Sequence, residues 1–219
     1  MLNSSDKRAA IVLSGCGVFD GSEIHEAVVT LLNLQKRKAK VSFFAPDTKQ
    51  AGTINHLSAT PAEDGRNVLV ESARIARGNI SPLSEFKAED CDMIIFVGGF
   101  GAAKNLCTFA FDGAACSVNP DVERSIKGML SAGKKLGFMC IAPVIAARVI
   151  SNGVKLTIGS DSATAKAIEE MGARHVPCGV SSFVKDEKFN VYSTPAYMLA
   201  SDTAELDAGI SAMIAEMMR

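Results

Sequence analysis

The stretch "DMIIFVGG", residues 92–99, decides the fold: five apolar side chains run in succession and two glycines close them. A strand with one wet face alternates polar and apolar residues. An unbroken run belongs to a strand covered on both faces, as in a parallel sheet flanked by helices. Working outward, "AAIVLSG" (9–15) reads as a buried first strand, "KVSFFAP" (40–46) as a second, "KKLGFM" (134–139) as a fourth and "VKLTIG" (154–159) as a fifth. Between the first two lies a helical period, "SEIHEAVVTLLNLQKRK" (22–38). Ser22 is its predicted N-cap, Glu23 and Glu26 occupy its opening turns, and its basic last turn suits the helix dipole. Residues 47–91 are the least regular, with a loop over 47–65 and then a helix over "RNVLVESARIARG" (66–78), an elaboration near the rim. "SSFVKDEKFNVYST" (181–194) predicts a hairpin turning at Asp186–Lys188, and "SDTAELDAGISAMIAEMM" (201–218) a closing amphipathic helix capped by Ser201 or Asp202. Strands alternating with helices imply βαβ units, hence an α/β fold with a mainly parallel sheet and a small hairpin near the C-terminus. With 219 residues and no linker or repeat, a single domain over 1–219 is expected.

Composition excludes several function classes. The 23 basic and 24 acidic residues leave a formal charge of −1 with no basic block, so no nucleic-acid footprint is expected. No apolar run approaches the roughly 20 residues of a membrane helix, and the N-terminal apolar run is too short for a secretion signal, so a cytoplasmic protein without membrane contact is expected. The six cysteines, at 16, 91, 107, 116, 140 and 178, form no C-x-x-C, and the three histidines are scattered. Free thiols and no metal site are the expectation.

In open α/β sheets ligands collect at the carboxyl ends of the strands. Those ends carry "SGCGVFDG" (14–21), "GGFGAAKN" (98–105), Cys140 and "TIGSD" (157–161). Cys140 sits in "GFMCIAP" (137–143), where a strand turns sharply into a helix. Such a corner exposes its central side chain to helix N–H groups, which favour a thiolate and lower a thiol pKa from about 8.5. A buried, inert thiol is the alternative. Gly98 and Gly99 permit a tight turn whose N–H groups suit an oxyanion, or form a plain glycine turn. Glu23 and Glu26, three apart, share a helix face, where carboxylates either cap the helix or face Cys140 and exchange a proton with it. His25 reads as a solvated helix residue, and Lys104 either lies on the surface or neutralises an acid. "GCGVFDG" resembles a dinucleotide fingerprint, but Asp20 stands in place of the third glycine and no acid follows at the end of the second strand, so no nicotinamide cofactor is expected.

Taken together, "SGCGVFDGSEIHE", "INHL", "RNVLVESARIARG", "GGFGAAKNL", "FMCIAP", "LTIGSD", "EEMGARHVPC" and "TPAYMLA" resemble the ElbB family, the "enhancing lycopene biosynthesis" or isoprenoid-biosynthesis proteins of the ThiJ/PfpI branch of the class I glutamine amidotransferase-like superfamily. The resemblance runs from about residue 9 to the C-terminus. It implies a flavodoxin-like three-layer sandwich, Cys140 at the nucleophile elbow, a homodimer, and a glyoxalase-type activity that needs no metal, glutathione or other cofactor. Glyoxal, a small aldehyde, becomes glycolate. On that reading Cys140 and Glu23 are catalytic, with Glu26 taking the part of Glu23 if the turn is rotated. The N–H groups of Gly98, Gly99 and Ile141 hold the oxyanion. Glu71 reaches the site or caps the lid region, and Cys16 is a resolving thiol or a packing residue. One departure stands out: no histidine adjoins Cys140 or ends the fifth strand, and His175 is the only later candidate, on an expected edge strand. Triad hydrolysis, including glutaminase chemistry, is therefore disfavoured. The competing class is a redox-sensing or stress-protective protein using the same cysteine.

Overall fold

Alternate residues of each central strand feed two separate cores, and this makes the molecule three-layered. In the computed structural model residues 7–219 are described; residues 1–6, part of the N-terminal stretch read above, lie outside them. The strands are β1 (Arg8–Val12), β2 (Lys40–Ala45), β3 (Thr53–Asn55), β4 (Thr60–Ala62), β5 (Ser81–Pro82), β6 (Met93–Phe96), β7 (Lys135–Met139), β8 (Lys155–Leu156), β9 (Arg174–His175), β10 (Val184–Asp186) and β11 (Val191–Thr194). The helices are α1 (Ile24–Lys36), α2 (Val68–Ile75), α3 (Phe100–Lys104), α4 (Phe109–Asp112), α5 (Pro120–Ser131), α6 (Pro143–Ile150), α7 (Ser162–Glu170) and α8 (Thr203–Met217).

The main sheet has seven strands in the order β10-β11-β7-β6-β1-β2-β5. Every pairing in it is parallel except β10 with β11. Ala10, Val12, Ile94, Phe96, Leu136 and Phe138 face one side, beneath α5, α6 and α7; Ala9, Ile11, Met93, Ile95 and Met139 face the other, beneath α1, α2 and α8. All four residues of β6 are buried, as its unbroken apolar run requires. On the first side the Phe96 and Phe138 rings stack, 5.0 Å between centroids. The expected α/β sandwich with helices on both faces is what forms.

Several local expectations change. Ser22 does not cap α1. Its hydroxyl instead accepts a hydrogen bond from the Ser14 N–H at 2.8 Å, tying the end of β1 to the helix start. Glu23 is the cap, accepting from the Glu26 N–H at 2.7 Å. Of the two caps offered for α8, Asp202 serves. The loop over 47–65 holds the antiparallel β3–β4 ribbon. "VKLTIG" is not the fifth strand of the sheet. Only Lys155–Leu156 is a strand, paired with β9 in a separate two-stranded sheet. The fifth parallel position belongs to β11, which doubles as one arm of the predicted hairpin. With β11 already bonded to β7, residues 154–158 are held by side chains: the Lys155 N–H donates to Asp186 Oδ2 at 2.8 Å and the Thr157 N–H to Ser193 Oγ at 2.9 Å.

Candidate active site

Cys140 follows β7 immediately, with φ at +57°, in the left-handed region that a side chain disfavours. Strain of this kind costs about 1–3 kcal/mol and persists where surroundings over-determine it. Here the Cys140 N–H donates to the Thr194 carbonyl at 3.1 Å, fastening the corner to the end of β11. The N–H groups of Gly99 and Ile141 favour its thiolate. Two glycines make room. A Cβ on Gly98 would stand 2.4 Å from Cys140 Cβ and 2.6 Å from Glu26 Oε2. One on Gly99, whose φ is +90°, would stand 2.4 Å from both the Glu23 nitrogen and the Gly21 carbonyl oxygen.

The carboxyl group that meets the sulfur is Glu26. It is fully buried, and its Oε2 and the Cys140 sulfur flank the same point, the place a Cβ on Gly98 would occupy, at 2.6 and 3.0 Å. Oε2 accepts from the Gly98 N–H at 3.0 Å and Oε1 from the Tyr197 N–H at 3.3 Å. Burial, then the nearby Glu23 charge, pushes the Glu26 pKa up to about 8, against the pull of those N–H donors. Cys140 also moves upward. Burial leads, the Glu26 charge adds, and the N–H groups of Gly99 and Ile141 offset only part. The expected resting thiolate is thus corrected to a protonated thiol beside a protonated carboxyl group near neutral pH. Part of the reason is local sequence. Pro143 opens α6 and has no N–H to give, so the helix start offers fewer donors than the corner suggested.

The other expected site residues separate into those this corner gathers and those it does not. Glu23 is engaged by the helix cap through Oε2, and no bond joins it to Cys140. The Gly98 N–H is not free for an oxyanion either, since Glu26 takes it, while its carbonyl accepts from the Glu23 N–H at 3.0 Å. The N–H groups of Gly99 and Ile141 act on the Cys140 thiol. Cys16 is half-buried, and the charges that act on it, Glu71, Arg74, Asp20 and Arg66, are a different set from those that dominate at Cys140 and Glu26. Burial first and then Glu71 raise its pKa. Glu71 is bound to Arg74 Nε at 2.9 Å and lies 3.7 Å from Arg66 Nη1. Lys104 donates to the Phe19 carbonyl at 3.0 Å. His175 belongs to β9, and no histidine is among the groups that set the protonation of Cys140 or Glu26.

Sequence reasoning missed Thr194 and Tyr197. Tyr197 holds Glu26 through its N–H, and its hydroxyl meets His25 Nδ1 at 2.9 Å. The signal was there: "TPAYMLA" follows β11, but the hairpin was read apart from the parallel sheet, so its carboxyl end was left off the rim. A cavity of about 720 Å³ lies elsewhere, lined by Leu130, Asn152, Lys185, Glu187 and Phe189 among others, and holds none of these reactive groups. Among the described residues no cluster of three or more His, Cys, Asp or Glu suits a metal ion, and no helix is long and apolar enough to cross a membrane.

Three comparisons bear on this arrangement. The rat ES1 protein homolog, mitochondrial, is 48% identical over 217 residues, covering 94% of this chain and 81% of that protein. The human glutamine amidotransferase-like class 1 domain-containing protein 3, mitochondrial, gives the same identity and coverage. A crystal structure of an isoprenoid biosynthesis protein with an amidotransferase-like domain from Ehrlichia chaffeensis is 34% identical, with a TM-score of 0.89, covering 96% of this chain and 98% of that one. No family model matches the chain. The cytoplasmic location expected from sequence is corrected by the relatives, both named mitochondrial. That expectation rested on what the domain sequence lacked, and a folded core carries little information about its compartment.

Proposed function

Because the chain belongs to the ES1 and isoprenoid-biosynthesis (ElbB) family of class I glutamine amidotransferase-like proteins, we propose that it is a cysteine-dependent glyoxalase-type enzyme, acting on small dicarbonyls such as glyoxal. The observation that carries this reading is the Cys140–Glu26 pair, buried together with two backbone N–H groups acting on the thiol and no histidine beside it. A pair sharing its protons suits chemistry that moves a proton between adjacent carbons and needs no external oxidant.

The steps follow from that geometry. Glu26 accepts the Cys140 proton as the sulfur attacks one aldehyde carbon, and the protonated Glu26 then gives that proton to the new alkoxide, forming a hemithioacetal. Glu26 next removes hydrogen from the former aldehyde carbon and delivers it to the neighbouring carbon, so one carbon is oxidised as the other is reduced. The product is a thioester of the hydroxy acid. Water cleaves it, the thiol regains its proton, and glycolate leaves. The Gly99 and Ile141 N–H groups, which favour the Cys140 thiolate, stand beside the developing oxyanion. Glutamine hydrolysis is not proposed, since a neutral carboxyl group replaces the histidine that a triad needs to activate water. The competing sensor reading loses support because a buried thiol with a raised pKa reacts slowly with oxidants. The compartment we propose is the mitochondrion, shared by the named relatives.

The test follows glyoxal loss and glycolate appearance by NMR with wild type, Cys140→Ala and Glu26→Gln. Glycolate from wild type alone supports the reading. Equal turnover by Cys140→Ala, or no glycolate from a folded wild type, overturns it.

A further inference from the structure

A second pair of thiols lies outside this site, at the neck of the loop between α3 and α5. Cys107 and Val118 form an antiparallel bridge there. The Thr108 N–H donates to the Ser117 carbonyl and the Asn119 N–H to the Leu106 carbonyl, each at 2.9 Å. The Ser117 N–H also donates to Thr108 Oγ1 at 3.0 Å. These bonds fix the two arms of the neck against each other. Cys107 and Cys116 stand on opposite arms, two residues out of register, and both are buried in the same apolar cluster. The Cys107 sulfur also approaches the Ala102 carbonyl at 3.4 Å, and the Cys116 sulfur lies 4.0 Å from Met171 Sδ. Arg148 Nε donates to the Cys116 carbonyl at 2.7 Å.

The two thiols are not equivalent. The Arg148 guanidinium, bonded to the Cys116 carbonyl, places a positive charge that favours the Cys116 thiolate, while the Cys107 thiol donates to the Ala102 carbonyl, which favours its protonated form. Cys116 is therefore the attacking sulfur and Cys107 the one that follows. A crevice of about 350 Å³, lined by Ser117, Val118, Glu123, Arg148 and Val149, reaches the backbone beside Cys116.

We propose that Cys107 and Cys116 form a reversible disulfide, with hydrogen peroxide as the oxidant. The Cys116 thiolate attacks one peroxide oxygen, the O–O bond breaks, and hydroxide leaves, giving a sulfenic acid. Cys107 then attacks that sulfur, its proton leaves with the expelled hydroxide as water, and the S–S bond forms. Two thiols and one peroxide become one disulfide and two waters. Two equivalents of a small thiol such as glutathione reverse it, leaving the thiols and one oxidised glutathione.

The bond closes a loop of about ten residues over α4. Pinning a loop of that size in the unfolded chain raises the unfolding midpoint of a domain this large by about 5–10 °C. The experiment treats the intact reduced protein with one equivalent of hydrogen peroxide, alkylates remaining thiols, and maps peptides without reduction. Expected are a Cys107–Cys116 cross-linked peptide in wild type, its loss with dithiothreitol, its absence in Cys116→Ser, and a midpoint increase confined to wild type. If both peptides stay alkylated while Cys16, Cys140 or Cys178 is oxidised, the proposal fails. Should Cys116→Ser misfold, Cys107→Ala with the same mapping serves in its place; a cross-link from Cys116 to another cysteine in that variant, in preference to a sulfenic acid, also counts against the pairing. Turnover of glyoxal plays no part in any readout, so this outcome is independent of the fate of the Cys140 mechanism.

Discussion

Cys140 and Cys16 lie just beyond the carboxyl ends of β7 and β1, and each has a glutamate from a helix beside it, Glu26 for one and Glu71 for the other. Their surroundings diverge. Glu26 is sealed with the sulfur and meets only N–H donors and Glu23, so its pKa rises to about 8. Glu71 is engaged by the guanidinium groups of Arg74 and Arg66, and Cys16 stays partly open to solvent beside them. A buried acid with no cation must keep its proton or share it. An acid clamped by arginine has no proton to share. The same two residue types therefore yield a buried pair without a cation in one place and a charged clamp in the other.

The comparison predicts its largest effect at the first pair. Cys140→Ala lowers glyoxal turnover to background, a loss of at least about a thousandfold, since a nucleophile has no substitute. Glu26→Gln keeps the shape and removes the proton carrier, costing about 10²–10⁴ in kcat. The pH profile separates these roles. Attack needs the pair to hold one proton, so wild-type turnover rises with pH through about 8, the value to which Glu26 is raised. That rising limb disappears in Glu26→Gln. Stability carries the opposite sign. A folded acid that holds its proton up to about 8, against 4.5 when unfolded, loses stability as pH rises between those values and is level above them. The loss is roughly a few kcal/mol. Urea unfolding at several pH values shows this slope in wild type and a flat profile in Glu26→Gln; a shared slope breaks the assignment.

How far this was legible depends on which contacts are local. The parallel sheet was readable because β6 lies in a run of five apolar letters, Met93 to Val97, with no alternation, a signal set by burial on both faces alone. The corner that holds Cys140 was readable because strand, cysteine and helix adjoin in sequence. Which glutamate meets the sulfur was not. Glu23 and Glu26 are three residues apart, one capping α1 and the other in its first turn; only the Gly98 and Tyr197 N–H groups, 72 and 171 residues away, decide that Glu26 points inward. The hairpin misled for a related reason. β10–β11 is local and was found, but the parallel docking of β11 on β7 is a long-range choice. Missing it removed Thr194 and Tyr197 from the rim. The protonation state went wrong because the corner shows the donors and hides the burial that outweighs them.

A smaller effect belongs to the floor of the first site. Gly98→Ala forces a methyl group to within 2.4 Å of Cys140 Cβ and 2.6 Å of Glu26 Oε2, so the corner or the carboxyl group must shift. Overpacking of this kind costs about 1–3 kcal/mol. Calorimetry reads the loss, and turnover in the folded variant falls because the displaced carboxyl group no longer meets the sulfur. An alanine variant with wild-type midpoint and rate breaks the account of why that position is glycine.

The smallest effects belong to the second pair, and they bear most directly on the comparison. Cys16 has a raised pKa, led by burial, and its glutamate is held by two arginines. Cys16→Ser therefore leaves glyoxal turnover within about twofold of wild type, since exposed or part-exposed substitutions away from a reacting group change stability by only about 0.5 kcal/mol. Glu71→Gln removes the clamp's charge but keeps its shape. Arg74 is mostly exposed, so little is recovered from the salt bridge in water and the expected loss is under about 1 kcal/mol. A steady-state assay and a thermal melt on both variants check this. If Cys16→Ser or Glu71→Gln reduces turnover as Glu26→Gln does, the two glutamate–cysteine pairs act as one site, and the cation that separates them here carries no functional meaning.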